Sequence, residues 1–383
     1  MRSLMFYGSL GFLKTSGSLR FLIICLIMAG MSVIGTSCDP VHQFPEMQDE
    51  PDVPVDPTPD DPTPPEEDKT TTIGLRLQYH TDFTYRDYVY DSKSGSVKRV
   101  SDEDGDTYDN LENLKPGTPM KVTVKVHLDN SARTLVSTQT FLTELEENYD
   151  CDVEMEVPSG NDYLITVWGH LLDESGNAFY NDTDFNSIEL MRESYVGNTD
   201  MRDAYRGRLK ISTGEEKEIH DVIDMFRPMC KLEFVTTGLQ EFLANEEQRL
   251  SFSTRGVSPG DYTVVISYPA YYPSHYMAMD DRLEYASTGY SYSTPLTMNS
   301  EDDEEASIGF DYVLINNTSD AAVQAQVTVY HSDGTQVAST GMLTIPMQRD
   351  RHVVLRGNLF TTNNSGGVGI DPDFEGDINI PLF

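Results

Sequence analysis

The pattern most suggestive of catalysis in this sequence is a G-x-S-x-G match at Gly256–Gly260. In a nucleophile elbow of this kind the serine lies between a strand and a helix, and the N–H of the next residue helps to form the oxyanion hole. Here Pro259 follows the serine and supplies no N–H, and the residues beyond it are typical of a strand. The pattern therefore predicts a turn, and it assigns no catalytic residue.

Carboxylate and imidazole groups give only weak signals of metal binding. Residues 102–106 (DEDGD) offer the oxygen ligands that Ca²⁺ prefers, but the glycine is fourth and no glutamate closes the loop at EF-hand spacing. The eight histidines are isolated, with no H-x-x-x-H pair and no cysteine at metal-ligand spacing. We favour a solvated hairpin tip at 102–106, with calcium binding as the alternative, and we predict no metal site and no cofactor.

The remaining chemical signals exclude function classes. The chain has 27 Lys+Arg against 63 Asp+Glu and a net charge of −36, a balance that repels phosphate backbones and argues against a nucleic-acid partner. No glycine-rich phosphate loop opens a helix, and a carboxylate pair for glycoside hydrolysis could be recognised only from its separation in space. We therefore predict that the protein is not an enzyme.

Tyrosine provides the one unusual candidate for a contact surface. Four tyrosines lie close together in YPAYYPSHY, namely Tyr268, Tyr271, Tyr272 and Tyr276. In a loop with prolines they could present flat amphipathic rings to a sugar or to another protein. The alternative, which the sequence leaves equally open, is that the rings pack over the end of a β-sandwich.

At the start of the chain, residues 1–37 predict a signal peptide. Three scattered basic residues precede about 14 apolar or small residues at Phe21–Ile34, a run too short to span a membrane comfortably. The segment Gly35–Ser37 then leads to Cys38, which resembles a bacterial lipoprotein signal, with glycine rather than leucine three positions before the cysteine. The resemblance implies cleavage before Cys38, lipidation of its sulfur and attachment to the outer membrane.

Residues 38–69 predict a stalk. After the cysteine this segment holds nine prolines and eleven acidic residues and shows no apolar period, so it cannot offset the entropy of folding. Repeated Pro-Thr-Pro units favour extended polyproline II, which at ~3 Å per residue could lift a domain up to ~90 Å from the membrane. We interpret the segment as a disordered spacer.

From Thr70 onward the apolar pattern is that of strands. Thr72–Tyr79 and Met120–Leu128 alternate apolar and polar residues, whereas residues 80–117 are polar and contain a charged loop at 101–110 (SDEDGDTYDN). Gly238–Arg249 is the one convincing helix. Many short strands separated by turns predict an all-β fold of antiparallel sandwiches. Arg227-Pro228 is a predicted hinge, so we divide the folded part into an N-terminal β-sandwich at 70–226 and a C-terminal one at 227–383.

Two cysteines, Cys151 and Cys230, lie in this folded part. An exported location permits a disulfide, but their separation in sequence says nothing about their distance. We favour two separate buried thiols.

With these segments identified, the chain resembles the fimbrial proteins of Bacteroidales, specifically the fimbrillin-like and fimbrial anchor lipoproteins. The resemblance rests on the order of several short motifs along residues 70–383. They are Tyr163–Gly169, Asn177–Tyr180, Asn186–Leu190, Ala204–Gly207, Phe226–Leu232, Ile345–Asp350, Leu355–Leu359 and Ile370–Phe374. His170 stands where the family usually has an aspartate, and Cys230 stands where it has a small buried residue.

The resemblance implies two tandem transthyretin-like (Greek-key) β-sandwich domains and a role in fimbria assembly and cell adhesion. Its partners would be fimbrial subunits, joined by strand addition, and a host or partner-bacterium surface. The role would be that of a fimbrial anchor, tip or accessory subunit. The alternative is a glycan-binding surface lipoprotein of a polysaccharide-uptake system, which would use the tyrosine loop as its sugar platform.

Shaft subunits of this family are cut after an arginine beyond the stalk, which opens a groove for a neighbour's strand. Here Arg76 is the first arginine after Cys38, and it lies inside the first predicted strand. A cut there would also release the domain from its lipid. The sequence does not decide between a shaft role and an anchor role.

We expect Cys38→Ala to yield a soluble, unanchored protein, because the variant lacks the sulfur that would carry the lipid. Fractionation of cells and immunoblotting measure the membrane-bound share, with Cys151→Ala as the control that should stay in the membrane fraction. Recovery of Cys38→Ala in that fraction at the wild-type level would refute the tether.

Overall fold

Strands build most of the described chain, which the structure, a computed structural model, covers at residues 69–110, 117–144, 150–250, 257–300, 302–317 and 321–360. The first strands are β1 (Thr70–Tyr79), β2 (Asp82–Asp91), β3 (Ser96–Arg99), β4 (Thr107–Asp109), β5 (Pro119–Leu128), β6 (Leu135–Glu144), β7 (Asp150–Pro158), β8 (Asp162–Leu171), β9 (Tyr180–Asn181), β10 (Ile188–Leu190), β11 (Ala204–Ser212) and β12 (Glu218–Met225).

The second half continues with β13 (Met229–Thr237), α1 (Leu239–Arg249), β14 (Tyr262–Tyr268), β15 (Tyr272–Met277), β16 (Arg282–Ser287), β17 (Tyr290–Pro295), β18 (Glu305–Leu314), β19 (Ala321–His331), β20 (Gln336–Ser339), β21 (Leu343–Met347) and β22 (Arg351–Gly357). Short 3₁₀ turns lie at Arg192–Ser194, Asp200–Arg202 and Pro259–Asp261. No helix in the part of the chain that the structure describes is long and apolar enough to cross a membrane.

Two of the sheets face each other across one apolar core and form the first sandwich. The smaller sheet has the order β12–β1–β7, and the larger has the order β11–β8–β5–β6. β1 is central in the smaller sheet, parallel to β12 and antiparallel to β7. Its alternate residues are buried in the core, as the period of two predicts: Ile73, Leu75, Leu77 and Tyr79.

Three further sheets surround a second core. Their orders are β18–β13–β22–β2–β3 with β4 beside β2, β17–β14–β19–β20 with β21 beside β19, and β16–β15–β10–β9. Phe234, Val264 and Leu355 are fully buried in this core. Leu164 and Trp168 on the back of β8 belong to it as well, so β8 is covered on both faces.

The all-β fold and the helix at 239–249 are confirmed. No strand is predicted within residues 80–117, but β2, β3 and β4 lie there, and β4 takes up part of the predicted loop at 101–110. β2 has the sequence DFTYRDYVYD, whose acids and arginine mask its strand pattern, and it runs parallel to β22 in the second set of sheets. The tandem transthyretin-like arrangement and the division at 226/227 stay predictions.

The first sandwich closes on one side where β11 approaches β12. The backbones of Arg206 and Phe226 exchange two hydrogen bonds there, of 2.8 and 3.0 Å. Gly207 permits this approach, because a Cβ on it would lie 2.3 Å from Cγ2 of Ile223 and 2.4 Å from Sδ of Met225. Both neighbours are buried, so they have little room to move aside.

We expect Gly207→Ala to lower the free energy of unfolding by roughly 1–3 kcal/mol, because the added methyl group overpacks this contact. Gly214→Ala is the matched control, since nothing lies within 4 Å of a Cβ at that position. Urea titration followed by tryptophan fluorescence measures both. Equal stability of the two variants would contradict this account of the closure.

Candidate functional site

The structure corrects the predicted tyrosine contact surface. Tyr268, Tyr272 and Tyr276 are fully buried, and only Tyr271 is exposed, at 52%. The prolines suggested a loop, but β14 ends at Tyr268 and β15 begins at Tyr272. Three of the four rings therefore pack inside, as the alternative interpretation had it, and the four do not form an open platform.

Tyr272, together with Tyr195, completes the hydrogen bonds of an ion pair in the second core. The side chains of Arg202 and Asp311 pair directly, with both side chains almost fully buried. The hydroxyl of Tyr272 donates to Oδ2 of Asp311 at 3.0 Å, and that of Tyr195 donates to the same oxygen at 2.7 Å. Burial raises the pKa of Tyr272 well above its ordinary value, so the ring remains a neutral donor. These rings hold the structure together.

Arg227 makes a second buried ion pair at the junction between the two sets of sheets. Its Nε lies 2.9 Å from both carboxylate oxygens of Asp203, and neither side chain has solvent exposure. Its other nitrogens donate to the carbonyl oxygens of Thr81 and Asp82 and to the hydroxyl of Tyr205. Burial raises the pKa of Asp203, and the charge of Arg227 opposes that rise. The Arg-Pro motif thus marks a structural junction.

Lys231, four residues along the same motif, extends this polar junction. Its ammonium lies 2.7 Å from Oδ1 of Asp200, and the hydroxyl of Tyr312 donates to the same oxygen at 2.6 Å. Asn110 donates to both Asp203 and Tyr312 and so links the two groups. The order of the motifs identified Arg227 and Lys231, but nothing in the sequence indicated that Asp203 and Asp200 would be their partners.

The acidic loop at 102–106 uses one carboxylate to hold three arginines. Asp104 accepts hydrogen bonds from Arg86 at 2.8 Å, Arg99 at 2.9 Å and Arg351 at 3.0 Å. Although burial opposes it, these guanidinium groups hold the pKa of Asp104 below its ordinary value. Within the described ranges no three His, Cys, Asp or Glu side chains are grouped as a metal site would require. Asp104 of this loop is therefore engaged by arginines of the protein itself.

The remaining candidate residues carry no chemistry in the structure. Cys230 and Cys151 are free thiols, and burial raises the pKa of Cys230 to about 12, so it is an inert thiol at neutral pH. Ser258 caps a short 3₁₀ turn, in the part of the G-x-S-x-G pattern that is described. Cys38 and the stalk lie outside the described residues.

One edge of the first sandwich is open. Strand β6 pairs with β5, and no other strand of the described ranges forms a hydrogen-bonded ladder with it. Its sequence, LVSTQTFLTE, contains one charged residue and no proline. Leu135 and Leu142 are exposed at 52% and 69%. We call residues 135–144 the β6 edge.

The neighbouring edge strand, β7, differs in charge. Its sequence, DCDVEMEVP, places exposed acids at every second position, including Asp152, Glu154 and Glu156. Charged residues on an edge strand oppose pairing with another chain. Of these two adjacent edges, the β6 edge is therefore the one whose unpaired backbone groups are available to a further strand.

The second surface feature is a cleft of about 710 Å³ beside β11. Its walls come from β11, from β12 and the residues just after it, from Asp281, from the segment after β18 and from the segment that leads into β22. We call it the arginine cleft, after lining residues that include Arg206, Arg208, Arg349 and Arg351. Its volume lies in the range typical of small-ligand sites.

These features describe an all-β protein built from packed sheets, with an open edge at β6 that carries a single charge and a cleft lined by four arginines. The chain belongs to a family of unknown function, DUF6562, whose model matches residues 70–382.

Similar solved structures include proteins from Porphyromonas and Bacteroides. The fimbrial anchor protein Mfa2 from Porphyromonas gingivalis is 12% identical, with 70% of this chain and 82% of that chain covered and a TM-score of 0.36. A candidate cell adhesion protein from Bacteroides eggerthii is 8% identical, with 79% and 93% covered and a TM-score of 0.40. A candidate polysaccharide-binding protein from Bacteroides thetaiotaomicron is 12% identical, with 70% and 80% covered and a TM-score of 0.39. No curated protein matches the chain.

We expect Arg227→Met to lower the free energy of unfolding by about 3–5 kcal/mol, because it leaves the charge of Asp203 buried without a partner. The double variant Arg227→Met/Asp203→Asn should recover part of this loss, since it removes the unpaired charge as well. Denaturant titration measures each variant.

Arg76→Met is the control for the loss of an arginine. Arg76 pairs with Asp152, and both side chains are exposed, so its replacement should cost less than about 1 kcal/mol. A loss of similar size in Arg227→Met and Arg76→Met would contradict the role assigned to the buried pair.

Proposed function

We propose that this protein is a surface-exposed lipoprotein of the outer membrane that serves as an anchor, tip or accessory subunit of a fimbria in cell adhesion. It is tethered through Cys38 and contacts other fimbrial subunits by strand addition. Through the assembled fimbria it reaches a host or partner-bacterium surface. It has no catalytic role.

The β6 edge is the observation that carries this proposal. An added strand gains main-chain hydrogen bonds along an open edge, and side-chain pockets then determine which strand fits. The edge is ten residues long and carries one charge, Glu144, at its end. Its exposed leucines, Leu135 and Leu142, supply apolar surface that a partner strand would cover.

The position of β1 favours an anchor, tip or accessory subunit over a shaft subunit. Arg76 lies within β1, where it pairs with Asp152 on β7 and Val222 on β12. Cleavage after Arg76 would remove most of the central strand of a three-stranded sheet. It would also separate the domain from Cys38, so retention of β1 goes together with retention of the tether.

The glycan-binding alternative depended on the tyrosine loop as a sugar platform. Because Tyr268, Tyr272 and Tyr276 are buried, that loop offers a sugar only the ring of Tyr271. The fimbrial proposal therefore rests on the stronger surface feature, together with the order of the sequence motifs.

A strain that lacks the gene tests the proposal when it is complemented with defined variants. The wild-type gene should restore surface fibres seen by electron microscopy. Leu135→Lys/Leu142→Lys should not, because two lysines on the β6 edge oppose strand pairing. Val89→Lys is the matched control, since Val89 is exposed at 44% on β2, away from this edge.

Two results would count against the proposal. Unchanged fibres in the deletion strain would exclude a role in the fimbria. Full restoration by the double-lysine variant, with membrane levels equal to the wild type, would exclude the β6 edge as the contact. Thermal unfolding of the purified variants verifies that each one is folded.

A further inference from the structure

The arginine cleft stands out because it concentrates positive charge in a strongly acidic protein. Four of the 27 basic residues line it, while the chain carries 63 acidic residues and a net charge of −36. Four clustered arginines repel one another unless acidic groups of the protein or of a ligand lie beside them. The contacts of each arginine show which of them already have an acidic partner within the protein.

Two of the arginines are held by structural partners. Arg349 lies 2.7 Å from Asp281 and donates to the carbonyl oxygen of Ile315. Arg351 lies 3.0 Å from Asp104, the acid that also holds two other arginines. Both guanidinium groups are therefore held by an acid within the fold, and Arg351 shares its acid with Arg86 and Arg99.

The other two, both on β11, are less completely paired. Arg208 is exposed, and no acidic group of the described ranges lies within salt-bridge distance of it. Arg206 is half-buried; its Nε donates to the carbonyl oxygen of Ala278 at 2.8 Å, and its Nη1 lies 3.5 Å from Asp281, which Arg349 approaches more closely. Nη2 of Arg206 is buried and has no hydrogen-bond partner among the described residues.

Electrostatic repulsion accompanies this arrangement. Burial lowers the pKa of Arg206, and the charges of Arg208 and Arg349 lower it further. Arg206 and Arg208 are two residues apart on one strand and so project from the same face. A carboxylate between them would relieve the repulsion and accept charge-assisted hydrogen bonds.

The acids of the cleft do not supply that carboxylate. Asp224 lies 2.9 Å from His80, and Asp281 lies between Arg206 and Arg349. Asp350 is largely buried, and burial raises its pKa. A negative charge that complements Arg208 would therefore have to come from a ligand.

An exposed aromatic ring and amide groups lie in the same cleft. Phe226 is exposed at 47%, and its ring is supported from behind by His80, with ring centroids 4.4 Å apart and planes 6° from parallel. Asn316, Asn317 and Gln348 contribute amides to the lining. A supported flat ring packs against the apolar face of a sugar, and amides bond to its hydroxyl groups.

We propose that the arginine cleft binds a saccharide that carries a carboxylate, with Arg208 and Arg206 facing the acid group and Phe226 facing the sugar ring. This goes beyond the fimbrial role, because it gives the protein a ligand of its own at a site far from any subunit contact assigned above. An acidic peptide shares the carboxylate but does not need the ring.

Calorimetric titration of the purified full-length protein with trigalacturonate tests the proposal. We expect binding that Arg208→Ala weakens by at least about tenfold, since it removes a charge-assisted contact. Phe226→Ala should weaken it several-fold, and Phe226→Tyr should preserve it. Lys210→Ala is the charge-matched control, because Lys210 lies on the same strand and already pairs with Asp129. The methyl ester of the same sugar should bind at least about tenfold more weakly.

Each contrary result overturns the proposal. No binding of trigalacturonate excludes an acidic-sugar site. Equal losses in Arg208→Ala and Lys210→Ala would mean that only overall charge matters. Binding of polyglutamate that depends on Arg208 but not on Phe226 would assign the cleft to an acidic peptide. Arg208→Ala should still restore fibres in the deletion strain, so failure here and failure of the fimbrial role are separable.

Discussion

The buried ion pair between Arg227 and Asp203 determines how the chain passes from the first sandwich to the second set of sheets. β1 ends at Tyr79 and β2 begins at Asp82, so two residues separate strands that lie in different sheets. Arg227 donates to the carbonyl oxygens of this short link while its charge is neutralised by Asp203. The N–H groups of a buried guanidinium need hydrogen-bond acceptors, and here the carbonyl oxygens of the link provide them. This requirement favours one backbone conformation of the link, in which β2 lies beside β22.

A second buried pair repeats this logic inside the second core. Arg202 and Asp311 are too deeply buried to be solvated, and tyrosine hydroxyls from separate segments complete their hydrogen bonds. A phenylalanine at either tyrosine would fill the same volume but would remove one of the two hydroxyl donors to Oδ2 of Asp311. This gives a polar reason for placing Tyr195 and Tyr272 in the core. These two tyrosines contribute hydrogen bonds to the core as well as apolar surface.

The sequence predicts those features whose signal lies within one segment. The alternation from Ile73 to Tyr79 reports directly which face of β1 is buried, and the helical spacing of Leu239 and Phe242 does the same for α1. The burial of the tyrosine rings could not be predicted from one segment, because the prolines near Tyr272 are typical of a loop. β2 was missed because its acids and arginine find partners only after β22 and the 102–106 loop come together.

The two surface features were hidden for a related reason. Arg206 and Arg349 lie in separate motifs, and nothing in either motif indicates that both would meet Asp281. The openness of the β6 edge depends on which strands fail to pair with it, a property of the whole sheet. Local patterns identify strands well, but edges and clefts arise from the order in which the strands assemble.

The placement of β1 has a mechanical consequence. It is the first strand of the described chain, and it pairs along nearly its full length with β7 on one side and β12 on the other. A pull on Thr70 along the strand axis loads both ladders at once, so their hydrogen bonds resist together in shear instead of opening one after another. Because forced unfolding is governed by the rate of crossing a barrier, this geometry lengthens the lifetime of the domain under tension.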